Sequence, residues 1–218
     1  MRAGRYIVSL SLGTVAEPSA LVMVQPRTVR AKPRAEERSR SAENHFAVTW
    51  LERFPAGRPI TAVVARACEL ISDKRLTNNY TLLLDITSTG DAPVKVFERR
   101  GIYPTAIDLT NSAAENRPGS SKRVPLRDAI GAAQVILQTA RLEVASELEL
   151  AGTLLADLTA FDPKPVARNM DLRGGRNADL VFALATALWW GDRLTWDDDV
   201  PEPRRRRENL GANAWMGA

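Results

Sequence analysis

The stretch RNADLVFALATALWW, residues 176–190, sets a single carboxylate, Asp179, at the opening of a long apolar helix. A second run, residues 81–86, is almost continuously apolar and carries Asp85 near its end. A strand of that kind has no polar face to offer water, so both of its faces must be covered. Together the two segments predict a layered α/β domain, a mixed sheet packed between helices. Each of the two elements carries its acid at one end.

The rest of the chain supplies the other layers. Residues 5–12 and 20–25 read as β-strands joined by a turn that contains Gly13, Glu17 and Pro18. Residues 46–54 read as a third strand. A helix follows at 60–72, with Val63, Val64, Ala67, Leu70 and Ile71 on one face. After the strand at 81–86 come a helix at 92–100, stopped by Gly101, and a strand at 102–109. Three helices complete the order, at 125–140 with Pro125 in its first turn, at 147–161 and at 177–192. Five strands in one mixed sheet with helices on both faces are therefore expected. Residues 26–44, rich in Arg, Glu, Ser and Pro, read as a mobile solvated loop, and 110–122 as a second loop. One folded domain over residues 1–196 and a flexible charged tail over 197–218 account for the whole length.

Composition narrows the chemistry. With 218 residues and 44% hydrophobic side chains, the chain can bury one substantial core. Cys68 is the single cysteine and His45 the single histidine. An internal disulfide, a cysteine-rich zinc site and a centre with several His ligands are all excluded, and a Ser-His-Asp triad is disfavoured. A lone cysteine suits a reducing cytoplasm, and Cys68 falls in an apolar helical pattern as a small hydrophobe. The net charge is +4 and the pI about 9.6, which permits a nucleic-acid partner without establishing one. No apolar run approaches the roughly 20 residues that span a bilayer. The start, MRAGRYIVSLSLG, fits a strand better than a signal peptide.

In order and spacing, several pieces resemble the ribonuclease-H-like nuclease domain of the large terminase subunit of tailed phages. They are YIVSLSLG with EPSALVMV, HFAVTWLERFPAGRPI, LLLDITSTG, RRGIYPTAIDLT, VPLRDAIGAAQVILQTARLEV and NADLVFALATALWW. The resemblance runs from about Tyr6 to Arg193. It implies a ribonuclease-H-like fold, and an ancestry in which three acidic positions hold two Mg²⁺ or Mn²⁺ ions that cut DNA. The first position, commonly Asp-x-Gly in that family, reads Ser11-Leu12-Gly13 here. Asp85 matches the second, in an Asp-x-Thr pattern completed by Thr87. The third opens the last helix, where Asn177-Ala178-Asp179-Leu180-Val181 keeps only the second acid of the family's His-Asp-Asp-Leu-Val motif.

The substitution at the first position matters chemically. Two hard cations about 3.5–4 Å apart must be bridged by carboxylates, and a serine hydroxyl is neutral at pH 7. The catalytic positions are thus Asp85, Asp179 and a degenerate Ser11, with Asp85 and Asp179 as the metal ligands that remain. Glu17 or Asp108 would have to supply a third carboxylate, and Glu17 reads better as an exposed turn residue. Read without the resemblance, Asp179 interacts with the helix dipole, and Asp85 either caps the helix beginning near Asp91 or braces the Thr87–Gly90 turn.

Lys122, Arg123, Arg127, Arg173 and Arg176 flank the acids and are candidates for DNA phosphates, or for simple surface solvation. Trp189 and Trp190 read as packing residues. No phosphate loop of the form G-x-x-x-x-G-K-S/T occurs, so the expectation is a freestanding domain without an ATPase motor. Three functions remain open. One is a terminase-like domain of viral DNA packaging with an eroded metal site, kept for binding DNA or packaging proteins. The others are a working endonuclease with a compensating ligand, and an adaptor without nucleic-acid contact. The partners implied are double-stranded DNA and terminase ATPase or portal components, with no membrane, in the cytoplasm of a bacterial host.

Overall fold

The computed structural model describes residues 2–3, 5–30, 42–111, 121–162 and 178–194. Its strands are β1 (Arg2–Ala3), β2 (Tyr6–Ser11), β3 (Ser19–Arg30), β4 (Ala42–Phe54), β5 (Tyr80–Asp85), β6 (Thr105–Thr110), β7 (Ser121–Pro125) and β8 (Leu142–Val144). The helices are α1 (Ile60–Ile71), α2 (Ala92–Glu98), α3 (Leu126–Gln138), α4 (Ala151–Ala160) and α5 (Asp179–Asp192). The strands form one sheet in the order β7-β6-β5-β2-β3-β4-β8, with β1 paired to β3. β2, β5, β6 and β7 run parallel to one another, whereas β2-β3 and β3-β4 are antiparallel. This mixed sheet with covered faces is the architecture expected, but the described residues form eight strands where the sequence reads as five.

The additional strands are short or polar. β1 and β8 are two and three residues long, too brief for an alternation to register. β7 begins at Ser121, inside the segment expected to be a loop. Residues 26–30 and 42–44 were likewise expected in a solvated loop. They extend β3 and β4 instead, pairing from Pro26↔Phe46 to Arg30↔Ala42. Backbone hydrogen bonds hold such a ladder whatever the side chains, so its charged composition is no obstacle. The remainder of that segment, residues 31–41, the segment 112–120 and the tail 197–218 lie outside the described residues.

Alternation along the strands sorts the core into two layers. Val8, Leu10, Leu21, Met23, Phe54, Leu82 and Leu84 face α1 and α2, with Val63, Val64, Ala67, Ile71 and Phe97. Ile7, Ala20, Val22, Leu51, Leu83 and Ile107 face α3, α4 and α5. α5 is buried from Asp179 to Leu188, apolar on every side, and lies against β2, β3 and β4. Its C-terminal end approaches so closely that a Cβ on Gly191 would stand 2.5 Å from the Phe46 ring and 2.9 Å from Ile7. α5 thereby presents its N-terminus, with Asp179, to the far ends of the central strands.

Candidate functional site

Ser11 and Asp85 are the last residues of two adjacent parallel strands and stand directly opposite each other. The same cross-strand row continues through Ala20 to Arg53 on one side and through Ile107 to Lys122 on the other. Directly opposed residues point to one face, here the face covered by α5. The Ser11 hydroxyl donates to Asp85 Oδ2 at 3.3 Å. The Thr87 backbone N–H and hydroxyl donate to Asp85 Oδ1 at 3.0 Å and 2.5 Å, and Thr87 Oγ1 in turn accepts from the Leu109 N–H at 2.7 Å. Asp85 is buried and braces the turn that follows its strand, the second of its two structural readings. It gives no side-chain cap to α2, whose N-cap residue is Asp91.

Asp179 opens α5 and is buried. Its Oδ2 accepts from Arg53 Nε at 2.8 Å, and Arg53 Nη2 donates to Asp157 Oδ2 on α4. One guanidinium thus joins the end of β4 to α4 and to the first turn of α5. Burial pushes the Asp179 carboxyl up from its ordinary value, against the hydrogen bond and charge of Arg53, while the neighbouring Asp157 adds to the rise. Asp179 Oδ1 is buried and, among the described residues, has no hydrogen-bond partner.

Several solved structures share this arrangement of strands and helices. A large terminase nuclease from the thermophilic phage G20c superposes with a TM-score of 0.55 at 20% identity, over 84% of this chain and 80% of that one. The Mn-soaked terminase nuclease domain of human cytomegalovirus gives 0.50 at 15% identity, and its inhibitor-bound form 0.52 at 15%, each over 88% of this chain and 85% of theirs. This chain has the terminase nuclease fold. No protein-family model and no curated protein matches it.

Lys122, Arg123 and Arg127, the described members of the basic set read from sequence, each meet a partner other than Asp85 or Asp179. The Lys122 ammonium lies 4.4 Å from the centre of the Trp190 ring. That ring is eleven residues along α5 from Asp179, roughly 16 Å at 1.5 Å per residue. Arg123 pairs at 3.5 Å with Asp108, its partner across β6 and β7. Asp108 alternates with Ile107 and so points to the face opposite Asp85, which removes it as a compensating ligand. Arg127 is exposed in the first turn of α3 and lies 3.7 Å from Asp128. Arg173 and Arg176 lie outside the described residues.

Glu17, the other candidate ligand, lies half-buried in the turn after β2, close to Gly13 through its backbone. A Cβ there would stand 2.2 Å from the Glu17 carbonyl, so the turn folds tightly on itself. Among the described residues, however, no three His, Cys, Asp or Glu side chains gather as they would to hold a metal ion. Nor is any described helix long and apolar enough to cross a membrane.

Arg53 and Asp157 are the site residues that sequence reasoning missed. Both left a signal. Arg53 shares strand parity with the inward-facing Leu51, an unusual place for a charge. Asp157 falls on the apolar face of α4 marked by Leu154, Leu158 and Phe161, where a carboxylate needs a partner.

Proposed function

We propose that this chain is a terminase-type nuclease domain of viral DNA packaging whose metal centre is eroded, and that it works by binding DNA or packaging proteins. The observation that carries the reading is the Arg53 guanidinium lodged between Asp157 and Asp179, on a fold whose solved examples are terminase nucleases. Two divalent ions need bridging carboxylates. Here Ser11 offers a neutral hydroxyl, Asp85 accepts from Ser11 and Thr87, and Asp179 is paired with a cation that does not leave. The donors present do not fit a two-metal centre. Asp85 and Asp179 remain as ligands for one weakly held Mg²⁺ or Mn²⁺ at most.

Binding, on this reading, is to double-stranded DNA through backbone phosphates. Arg127 is exposed in the first turn of α3 with Lys122 and Arg123 just before it in the chain, and Arg173 and Arg176 add positive charge in the segment that precedes α5 in sequence. Such contacts are independent of base sequence and weaken as salt rises. The terminase ATPase or the portal in the host cytoplasm are the protein partners this role would use.

Plasmid cleavage in Mg²⁺ or Mn²⁺ tests the reading, with Ser11→Asp and Asp179→Ala beside the unaltered protein. Silence from the unaltered chain with salt-sensitive DNA binding is the expected result, and cleavage that disappears in Asp179→Ala would overturn it. A second reading, a working endonuclease, is favoured by one observation: the buried Asp179 Oδ1 has an unused lone pair where a metal ligand would have one. Cleavage restored by Ser11→Asp alone would show that a single carboxylate separates the two readings.

A further inference from the structure

The geometry points to Arg53 as a built-in cation: its guanidinium holds, between Asp157 and Asp179, a place that one hard divalent ion such as Mn²⁺ takes when Arg53 is removed. The inference rests on the reading of an eroded metal centre and says what replaced the ion. Three segments far apart in sequence meet at this one group: the end of β4, the middle of α4 and the first turn of α5. The side chains of Asp157 and Asp179 are only 7% and 6% exposed, so their charges repel across a poorly solvated space and need a cation between them. A planar fork supplies one, because Nε and Nη2 flank the same carbon and bring their two carboxylate oxygens close together.

A second observation is independent of the ion pair. Asp179 Oδ1 is buried and points to no donor among the described residues, although both nitrogens on that edge of the fork are engaged. A carboxylate shaped by hydrogen bonding alone would have both oxygens satisfied. An oxygen left over beside two others is a hard-donor set larger than the guanidinium uses, and hard oxygen donors are what Mn²⁺ and Mg²⁺ prefer. Arg53 and Ser11 also share a cross-strand row, with only the methyl group of Ala20 between them. The cation therefore sits on the same face as the degenerate serine.

Thermal unfolding in EDTA and in Mn²⁺, together with the electron paramagnetic resonance signal of free Mn²⁺, tests this. The unaltered protein should show the same Tm in both buffers and leave the free-ion signal undiminished. Arg53→Met should lose roughly 6 °C or more in EDTA, recover much of it in Mn²⁺ and deplete the free ion. Arg53→Met/Asp179→Asn should show neither recovery nor depletion. If Arg53→Met folds only with metal, it is folded in Mn²⁺ and stripped with EDTA: unfolding on stripping supports the inference, and an unchanged fold overturns it. An Arg53→Met protein that is stable in EDTA and indifferent to Mn²⁺ overturns it as well. Plasmid cleavage separates this failure from that of the underlying reading. Mn²⁺ bound by the unaltered chain without cleavage overturns the role of Arg53 alone, and cleavage by the unaltered chain overturns the eroded centre.

Discussion

Two buried acids on one face of the sheet are held in different ways. Among the described residues, Asp85 accepts from donors that lie near it in the chain or on the adjacent strand: the Thr87 N–H, the Thr87 hydroxyl and the Ser11 hydroxyl. Asp179 is buried against a charge that arrives from residue 53, and it shares that charge with Asp157. The first arrangement is local and cheap to assemble. The second depends on three elements docking correctly, so it reports on the tertiary fold as well as on the site. The difference is one of reach: these partners of Asp85 are local, whereas those of Asp179 come from two other elements.

The comparison can be broken most severely at Arg53. Arg53→Met should cost about 3–5 kcal/mol in metal-free buffer, because it leaves two buried carboxylates without a counter-charge. Urea unfolding measures it. Neutralising all three members, as Arg53→Met/Asp157→Asn/Asp179→Asn, should recover most of that loss. If the single variant is as stable as the parent, the triad is not the clamp described here.

Asp85→Ala should cost less, about 1–3 kcal/mol, by leaving the Thr87 N–H and hydroxyl without their acceptor. Its effect should be the same in EDTA and in Mn²⁺, which distinguishes it from the Arg53 variant. A Mn²⁺-dependent difference would instead place metal at Asp85.

The pH dependence separates the two acids further. Burial raises the folded-state value of Asp179 above its ordinary 3.8. The folded protein then holds that proton more tightly than the unfolded chain does. Its stabilising contribution is complete below 3.8 and is lost as pH rises through the raised folded value. Across that window the stability difference between Asp179→Asn and the parent should move steadily in favour of the variant, as followed by urea midpoints. A flat difference would mean that Arg53 cancels the burial effect.

Ser11→Ala is the mildest change. Its hydrogen bond to Asp85 is long at 3.3 Å, so the cost should be about 0.5 kcal/mol. Ser11→Asp is the informative counterpart. A second carboxylate opposite Asp85 should destabilise the protein in EDTA and be relieved by Mn²⁺, because like charges on neighbouring strand ends repel unless an ion lies between them.

Whatever a single element states on its own could be read from the residues. The unbroken apolar run at 81–86 demanded cover on two faces, and the spacing of Val63, Val64, Ala67 and Ile71 laid α1 on one of them. Asp85 and Asp179 stood out because acids at the ends of apolar elements break the pattern. Thr87 as the brace of Asp85 follows from a two-residue spacing, within reach of local hydrogen bonding. The length of β3 and β4 was not legible, since ladder bonds between backbones leave no mark in residues 26–30 and 42–44. The partner of Asp179 was not legible either. Arg53 and Asp157 show only as charges on inward positions, and which charge meets which was decided when β4, α4 and α5 packed together. An ion pair between distant segments has no spacing in the sequence; it exists only where the tertiary fold closes the gap.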